Sequence, residues 1–303
     1  LTQGWLKGGR LHALSRFFKW QRQARAVLVT QGADHPLEPL LVRLAEALER
    51  LSPPAPLPVA DLSAGRHWRW DGAHLAPVEA APVQPLALFA GVDPQIEALR
   101  RNIGALARGG EAHDMLLWGA RGMGKSALVR SVAEDAGIAL VEAPADTLGS
   151  LPQLFGLLAA AGRPFLMFID DLAFAGTDTG VRQLRSLLDG GVSARPGNLR
   201  LAVTSNHRHL VERHLVEHPA ADSRHARDST DDQLALVDRF GLVLGFHAPD
   251  QPTYLEMVRR HCAAAGLDFS PEAAIAFALA RGGRSGRTAW HFRTELLTRR
   301  ASA

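Results

Sequence analysis

Gly119-Ala120-Arg121-Gly122-Met123-Gly124-Lys125-Ser126 has the form GxxxxGK[ST], and its reading decides the fold. An apolar stretch, Met115 to Trp118, precedes it and a helical pattern, Lys125 to Ala136, follows, which is the setting that gives the match a physical meaning. Glycines let the backbone wrap a phosphate with its N–H groups, and the next helix turns its positive N-terminal end to the same charge. Lys125 is expected on the β and γ oxygens of a nucleotide, and Ser126 on a magnesium ion. Lys7, Lys19 and Lys125 are the only lysines, arginine supplying the other basic side chains. A compact ammonium suits a tight glycine loop where a guanidinium would not fit.

Downstream, Phe165-Leu166-Met167-Phe168-Ile169-Asp170-Asp171 reads as an apolar strand ending in two carboxylates, the form of a Walker B element beside such a loop. Asp170 is expected on the magnesium side. Between and around these motifs, strand and helix patterns alternate. Helices are expected at Ile96–Ala107, Leu151–Ala161 and Val181–Asp189, and strands at Ala139–Glu142, Leu199–Thr204 and Leu242–Phe246. Such alternation indicates an α/β fold with a parallel sheet flanked by helices. After Pro249 the pattern is helical only, near Thr253–Ala265, Pro271–Arg281 and Arg287–Thr298.

From about Phe89 to Phe292 the chain resembles the AAA+ superfamily of P-loop NTPases. Gly91-Val92-Asp93-Pro94-Gln95 resembles the segment leading into the adenine pocket of those proteins. Ala202-Val203-Thr204-Ser205-Asn206 resembles the strand that carries sensor 1, which places Asn206 beside the attacking water. Asp238-Arg239-Phe240 resembles the box with the arginine finger, which implies that Arg239 reaches the nucleotide of a neighbouring subunit. Gly286-Arg287-Thr288-Ala289 resembles sensor 2, which implies Arg287 on the γ-phosphate in cis. Arg224, Arg227 and Arg284 are rival positions for these arginines. AAA+ proteins usually carry Glu after the magnesium-side Asp to orient and deprotonate water; here the residue is Asp171, shorter by one methylene. Leu117-Trp118-Gly119-Ala120-Arg121-Gly122, Leu187-Leu188-Asp189-Gly190-Gly191, Thr204-Ser205-Asn206 and Arg281-Gly282-Gly283-Arg284-Ser285-Gly286-Arg287 look like a bacterial family of AAA+ ATPases known as domain of unknown function 815.

The resemblance implies a nucleotide-binding set of Gly119, Ala120, Arg121, Gly122, Met123, Gly124, Lys125, Ser126 and Ala127 with Val92. Ser126 and Asp170 would hold magnesium, and Asp171, Asn206, Arg239 and Arg287 would serve hydrolysis. ATP is expected rather than GTP, because no Asn-Lys-x-Asp guanine motif occurs. The domains expected are an N-terminal accessory region at 1–85, an AAA+ core at 86–247 and a C-terminal helical lid at 248–303. Two features set off the first of these. Four prolines fall between Ser52 and Pro58, which breaks the helical pattern of Leu37–Leu51. His67–Trp70 and Ala73–Val78 flank Asp71-Gly72, which favours a hairpin.

Composition narrows the remaining possibilities. With 303 residues, 47% hydrophobic and 21% charged, the chain can bury a sizeable core. Its net charge of +3 does not by itself imply nucleic acid. Cys262 is the only cysteine, so an internal disulfide, a Cys-based zinc site and a CxxC pair are all excluded. Apolar stretches fall well short of the roughly 20 residues that cross a bilayer, so no membrane insertion is expected, and a cytoplasmic location fits. His214-Leu215-Val216-Glu217-His218 matches a zinc-protease pattern, but Pro219 disfavours helix at His218.

The expected activity is hydrolysis of ATP to ADP and phosphate, coupled to movement of the lid or of neighbouring subunits. The alternative is an ATP-dependent switch or scaffold with little turnover, favoured by Asp171 in the usual Glu position. Expected partners are further copies, through Arg239, and a protein or nucleic-acid client. Lys7, Arg10, Arg16, Lys19, Arg22 and Arg25 interleave with Trp5, Phe17, Phe18 and Trp20 and are a candidate docking surface. Pro144 to Leu151 lacks the aromatic of peptide-threading relatives, so threading is not expected.

Overall fold

A computed structural model describes residues 61–63, 65–80, 82–172, 179–188, 195–206 and 235–301, with the side chains of 179–182 excepted. The basic aromatic segment, the proline-rich stretch, Arg224, Arg227 and the His214–His218 motif lie outside the described residues. Seven strands form one sheet: β1 (His67–Trp70), β2 (Leu75–Pro77), β3 (Met115–Gly119), β4 (Ala139–Glu142), β5 (Phe165–Ile169), β6 (Leu199–Ser205) and β7 (Leu242–Phe246). Their order is β2-β1-β4-β5-β6-β3-β7, and every pair except β1–β2 is parallel.

Helices α1 (Asp93–Ala107), α2 (Lys125–Asp135), α3 (Leu151–Ala160) and α4 (Thr179–Leu188) accompany the sheet, and α5 (Gln251–Ala263), α6 (Pro271–Ala280) and α7 (Gly286–Ala301) follow it. The α/β P-loop architecture read from the alternation is therefore present. Parallel strands covered on both faces read as continuous apolar runs, and β5 shows the reason. Leu166 and Phe168 enter one core with α1, α2 and the C-terminal helices, while Phe165, Met167 and Ile169 enter a second with α3 and α4. All five are buried.

The hairpin at 67–77 does not stand apart as an accessory piece. β1 pairs in parallel with β4, His67 opposite Leu140 and Trp68 opposite Val141, while Trp68 and Trp70 enter the second core. Residues Ala60–Ala303 accordingly form one compact unit, and the boundary expected at residue 85 falls inside it. The turn is also longer than Asp71-Gly72. Trp70 pairs with Leu75, because the Asp71 carboxylate accepts the N–H groups of Ala73 and His74 at 2.9 and 2.7 Å and holds both out of the strand.

Strand order is what prepares the site. β6 stands between β3, which leads into the glycine loop, and β5, which ends in the two aspartates. The polar residues at the end of β6 are thereby set between Lys125 and the carboxylates. The C-terminal helices begin with local caps. Asp250 Oδ1 accepts the Thr253 N–H at 2.9 Å and Ser270 Oγ that of Ala273 at 3.1 Å, each ahead of a proline in the first turn. No helix among the described residues is long and apolar enough to cross a membrane.

Candidate functional site

The glycine loop is held from two sides. Gly119 has φ +122, and a Cβ there would sit 2.2 Å from the Phe246 carbonyl oxygen, while Ala120 N–H donates to that oxygen at 2.7 Å. Only glycine allows this approach of the loop to β7. Gly122, at φ +75, meets the start of α7: its carbonyl accepts the Arg287 N–H at 2.9 Å, and a Cβ would lie 3.0 Å from Ser285 Oγ. Gly119 and Ala120 thus act through the backbone outside the cavity wall, whereas Arg121, Gly122, Met123, Gly124, Lys125, Ser126, Ala127 and Val92 line it.

That cavity has a volume of about 640 Å³. At its glycine-loop end, Gly124 is the N-cap of α2 and makes no side-chain cap. Such a helix start fits an anion. Lys125, 6% exposed, donates from Nζ to the carbonyls of Gly119 and Ala120 at 3.0 Å each and to Asn206 Oδ1 at 2.8 Å. Three oxygens gather one ammonium at the mouth of the loop.

The carboxylates are organised by a residue that the motifs do not name. Ser126 Oγ donates to Asp170 Oδ1 at 2.5 Å, and Thr204 Oγ1 donates to the same oxygen at 2.6 Å. Thr204 Oγ1 also accepts the Asp171 N–H at 2.8 Å, and the Thr204 carbonyl accepts that of Leu172 at 2.8 Å. These bonds turn the chain sharply as it leaves β5. Asp171 takes φ +52, the left-handed region that a non-glycine residue enters at a cost and that clusters at functional sites. Its Oδ1 accepts a short hydrogen bond from Asn206 Nδ2. Asn206 therefore bridges Lys125 and Asp171.

Hard oxygen donors at Ser126 and Asp170 fit magnesium, which is held by one or two carboxylates plus phosphate oxygens and water rather than by an all-protein cage. Arg130 adds a cation on this side. Its guanidinium lies 4.9 Å from the Phe168 ring centroid, its Nε donates to Glu142 at 2.9 Å, and its Nη2 is 3.7 Å from Asp170 Oδ2. Nothing in the motifs singles it out.

Arg287 lines the cavity, as does Asp171. Arg239 does not; its Nη1 donates to the Ala235 carbonyl within its own turn. Arg284 is exposed and is not part of the wall. The rest of the wall is carbon-rich, with Leu88, Phe89, Ala90, Met257 and Trp290, together with Gln84 and His261. Apart from Val92, sequence reasoning did not anticipate this part, because its residues come from segments without a phosphate motif.

The chain is similar in fold to the Thermotoga maritima RuvB Holliday junction branch migration motor, with 18% identity and a TM-score of 0.46 over 69% of this chain and 63% of that one. Against a proline-to-glycine mutant of the same protein the values are 17% and 0.48, over 70% and 65%. The chain spans less than two thirds of the length of those proteins. No characterised protein matches it in sequence. Residues 63–300 match the family described as protein of unknown function (DUF815), and the chain belongs to that family, with an α/β P-loop fold.

Proposed function

We propose that the protein binds Mg-ATP and hydrolyses it to ADP and phosphate. The observation that best supports this reading is the convergence, in one cavity, of Lys125–Asn206–Asp171 with Ser126–Asp170–Thr204. Magnesium, held by Ser126 and Asp170, would neutralise charge on the β and γ phosphates. Lys125 and the start of α2 bind those phosphates. Asp171 accepts a proton from the attacking water, which Asn206 orients. Arg287 meets the γ-phosphate within the same chain, and Arg239 completes the site of a neighbouring copy. Turnover would move the C-terminal helices against the glycine loop they touch, acting on a protein or nucleic-acid client.

Calorimetry on Lys125→Ala tests the first step. Tight ATP binding should disappear with the ammonium, and an unchanged affinity would remove the nucleotide reading. A second reading, an ATP-dependent switch with little turnover, is favoured by Asp171, whose carboxylate is short, set on a left-handed backbone and engaged by Asn206. A single-turnover assay separates the two: ADP forming within seconds supports hydrolysis, and ATP retained intact for hours supports the switch.

A further inference from the structure

Both oxygens of the Asp170 carboxylate are met from one face of α2. Ser126 Oγ donates to Oδ1 at 2.5 Å, and Arg130, four residues on, brings its Nη2 to 3.7 Å from Oδ2. That second distance is longer than a hydrogen bond. The guanidinium is engaged elsewhere: its Nε donates to Glu142 Oε1 at 2.9 Å, and its central carbon lies 4.9 Å from the centroid of the Phe168 ring.

Strand register explains this arrangement. Glu142, the last residue of β4, stands opposite Phe168 of β5, and Asp170 follows Phe168 by two residues. Two carboxylates from neighbouring strands therefore flank one aromatic ring, and a single guanidinium spans them. Their surroundings differ. Asp170 lines the large cavity, whereas Glu142 does not and lines a separate one of about 190 Å³ with His67 and Arg69. Arg130 lines both.

We infer that Arg130 is an internal counter-ion of Asp170 that competes with a divalent cation for that carboxylate, and that Glu142 is the positioning residue that holds it back. The inference rests on the magnesium reading above and deepens it: affinity for the metal is set by a carboxylate outside the nucleotide cavity. With Nε committed to Glu142, the guanidinium offsets part of the Asp170 charge across 3.7 Å without a hydrogen bond to Oδ2. Released from Glu142, it can turn and close on Asp170 as a forked pair, which a metal would have to break.

Titration of the nucleotide-free protein with Mn²⁺ tests it, because this ion suits the same oxygen donors as magnesium and the paramagnetic resonance of the free ion reports the unbound fraction. Low ionic strength is required, since the three charged side chains are between 29% and 41% exposed and salt would screen them. Glu142→Gln keeps the shape and removes the charge; it should raise the half-saturating Mn²⁺ concentration about three- to fivefold. Arg130→Met keeps a chain against Phe168 and removes the cation, and should lower that concentration by a similar factor. The double variant should match Arg130→Met alone, because Glu142 acts through the guanidinium. A Glu142→Gln effect that persists undiminished without Arg130, or weaker Mn²⁺ binding in Arg130→Met, would overturn the inference. Equal Mn²⁺ binding by native and Asp170→Asn protein would instead remove the magnesium site on which it stands.

Discussion

Thr204 donates its hydroxyl to Asp170 Oδ1 at 2.6 Å, and the same oxygen atom of Thr204 accepts the backbone N–H of Asp171 at 2.8 Å. One buried hydroxyl on β6 thus sets both the carboxylate that faces Ser126 and the turn that presents the next one. Thr204→Val keeps the shape and removes the hydroxyl. Asp171 N–H then loses its acceptor, a cost of about 1–3 kcal/mol, and Asp170 loses one of its two donors. The expected result is a lower melting temperature together with a rise in the magnesium concentration needed for half-maximal turnover. Melting curves and a magnesium titration check the two halves independently.

Asp171→Asn preserves the size of the side chain and removes its basicity. Binding of ATP should survive, and turnover should fall by about 10²- to 10⁴-fold, the range for loss of a general base. If calorimetric affinity holds and the steady-state rate is unaltered, proton removal belongs to another group.

Arg239 is absent from the cavity wall of its own chain, as a finger supplied to a neighbour would be. Turnover per chain should therefore rise with protein concentration. Arg239→Ala should bind ATP and lose about a thousandfold or more in rate. Mixing it with Lys125→Ala protein pairs an intact loop with an intact finger at some interfaces, and activity should partly return. A rate independent of concentration, with no recovery on mixing, would sink the shared site.

Gly119→Ala tests the seam between the glycine loop and β7. The new Cβ would lie 2.2 Å from a backbone oxygen at a φ of +122, so the strands must separate or the peptide must rotate. A loss of about 3 kcal/mol or more is expected, seen as a drop in melting temperature of roughly 6 °C or beyond. Alanine at Gly137, where a Cβ would meet nothing within 4 Å, is the control for positive φ alone.

The glycine-loop end of the site was legible because its chemistry is local. The spacing from Gly119 to Ser126 is a backbone requirement, and the Phe165–Ile169 run ending in Asp170 and Asp171 announces both a buried parallel strand and its exit. Thr204 reads in the sequence only as a neighbour of Asn206, since its role depends on β6 lying between β3 and β5, an order that strand patterns do not reveal. His261 and Trp290 stand 29 positions apart and meet only when α5 packs on α7. Short helix-compatible stretches carry no mark of such a meeting. The hairpin was visible, but its attachment to β4 was not, because each parallel pair, such as His67 with Leu140, is made across 72 intervening residues.

Arg287 N–H bonded to the Gly122 carbonyl makes the first turn of α7 a fulcrum. From there the helix runs 16 residues, about 24 Å at the usual rise of about 1.5 Å per residue. A tilt of about 10° at Gly122 would carry its far end through about 4 Å. Any rotation of the Gly122 peptide is thereby amplified, by helix length alone, into a displacement of several ångströms at the far end of α7.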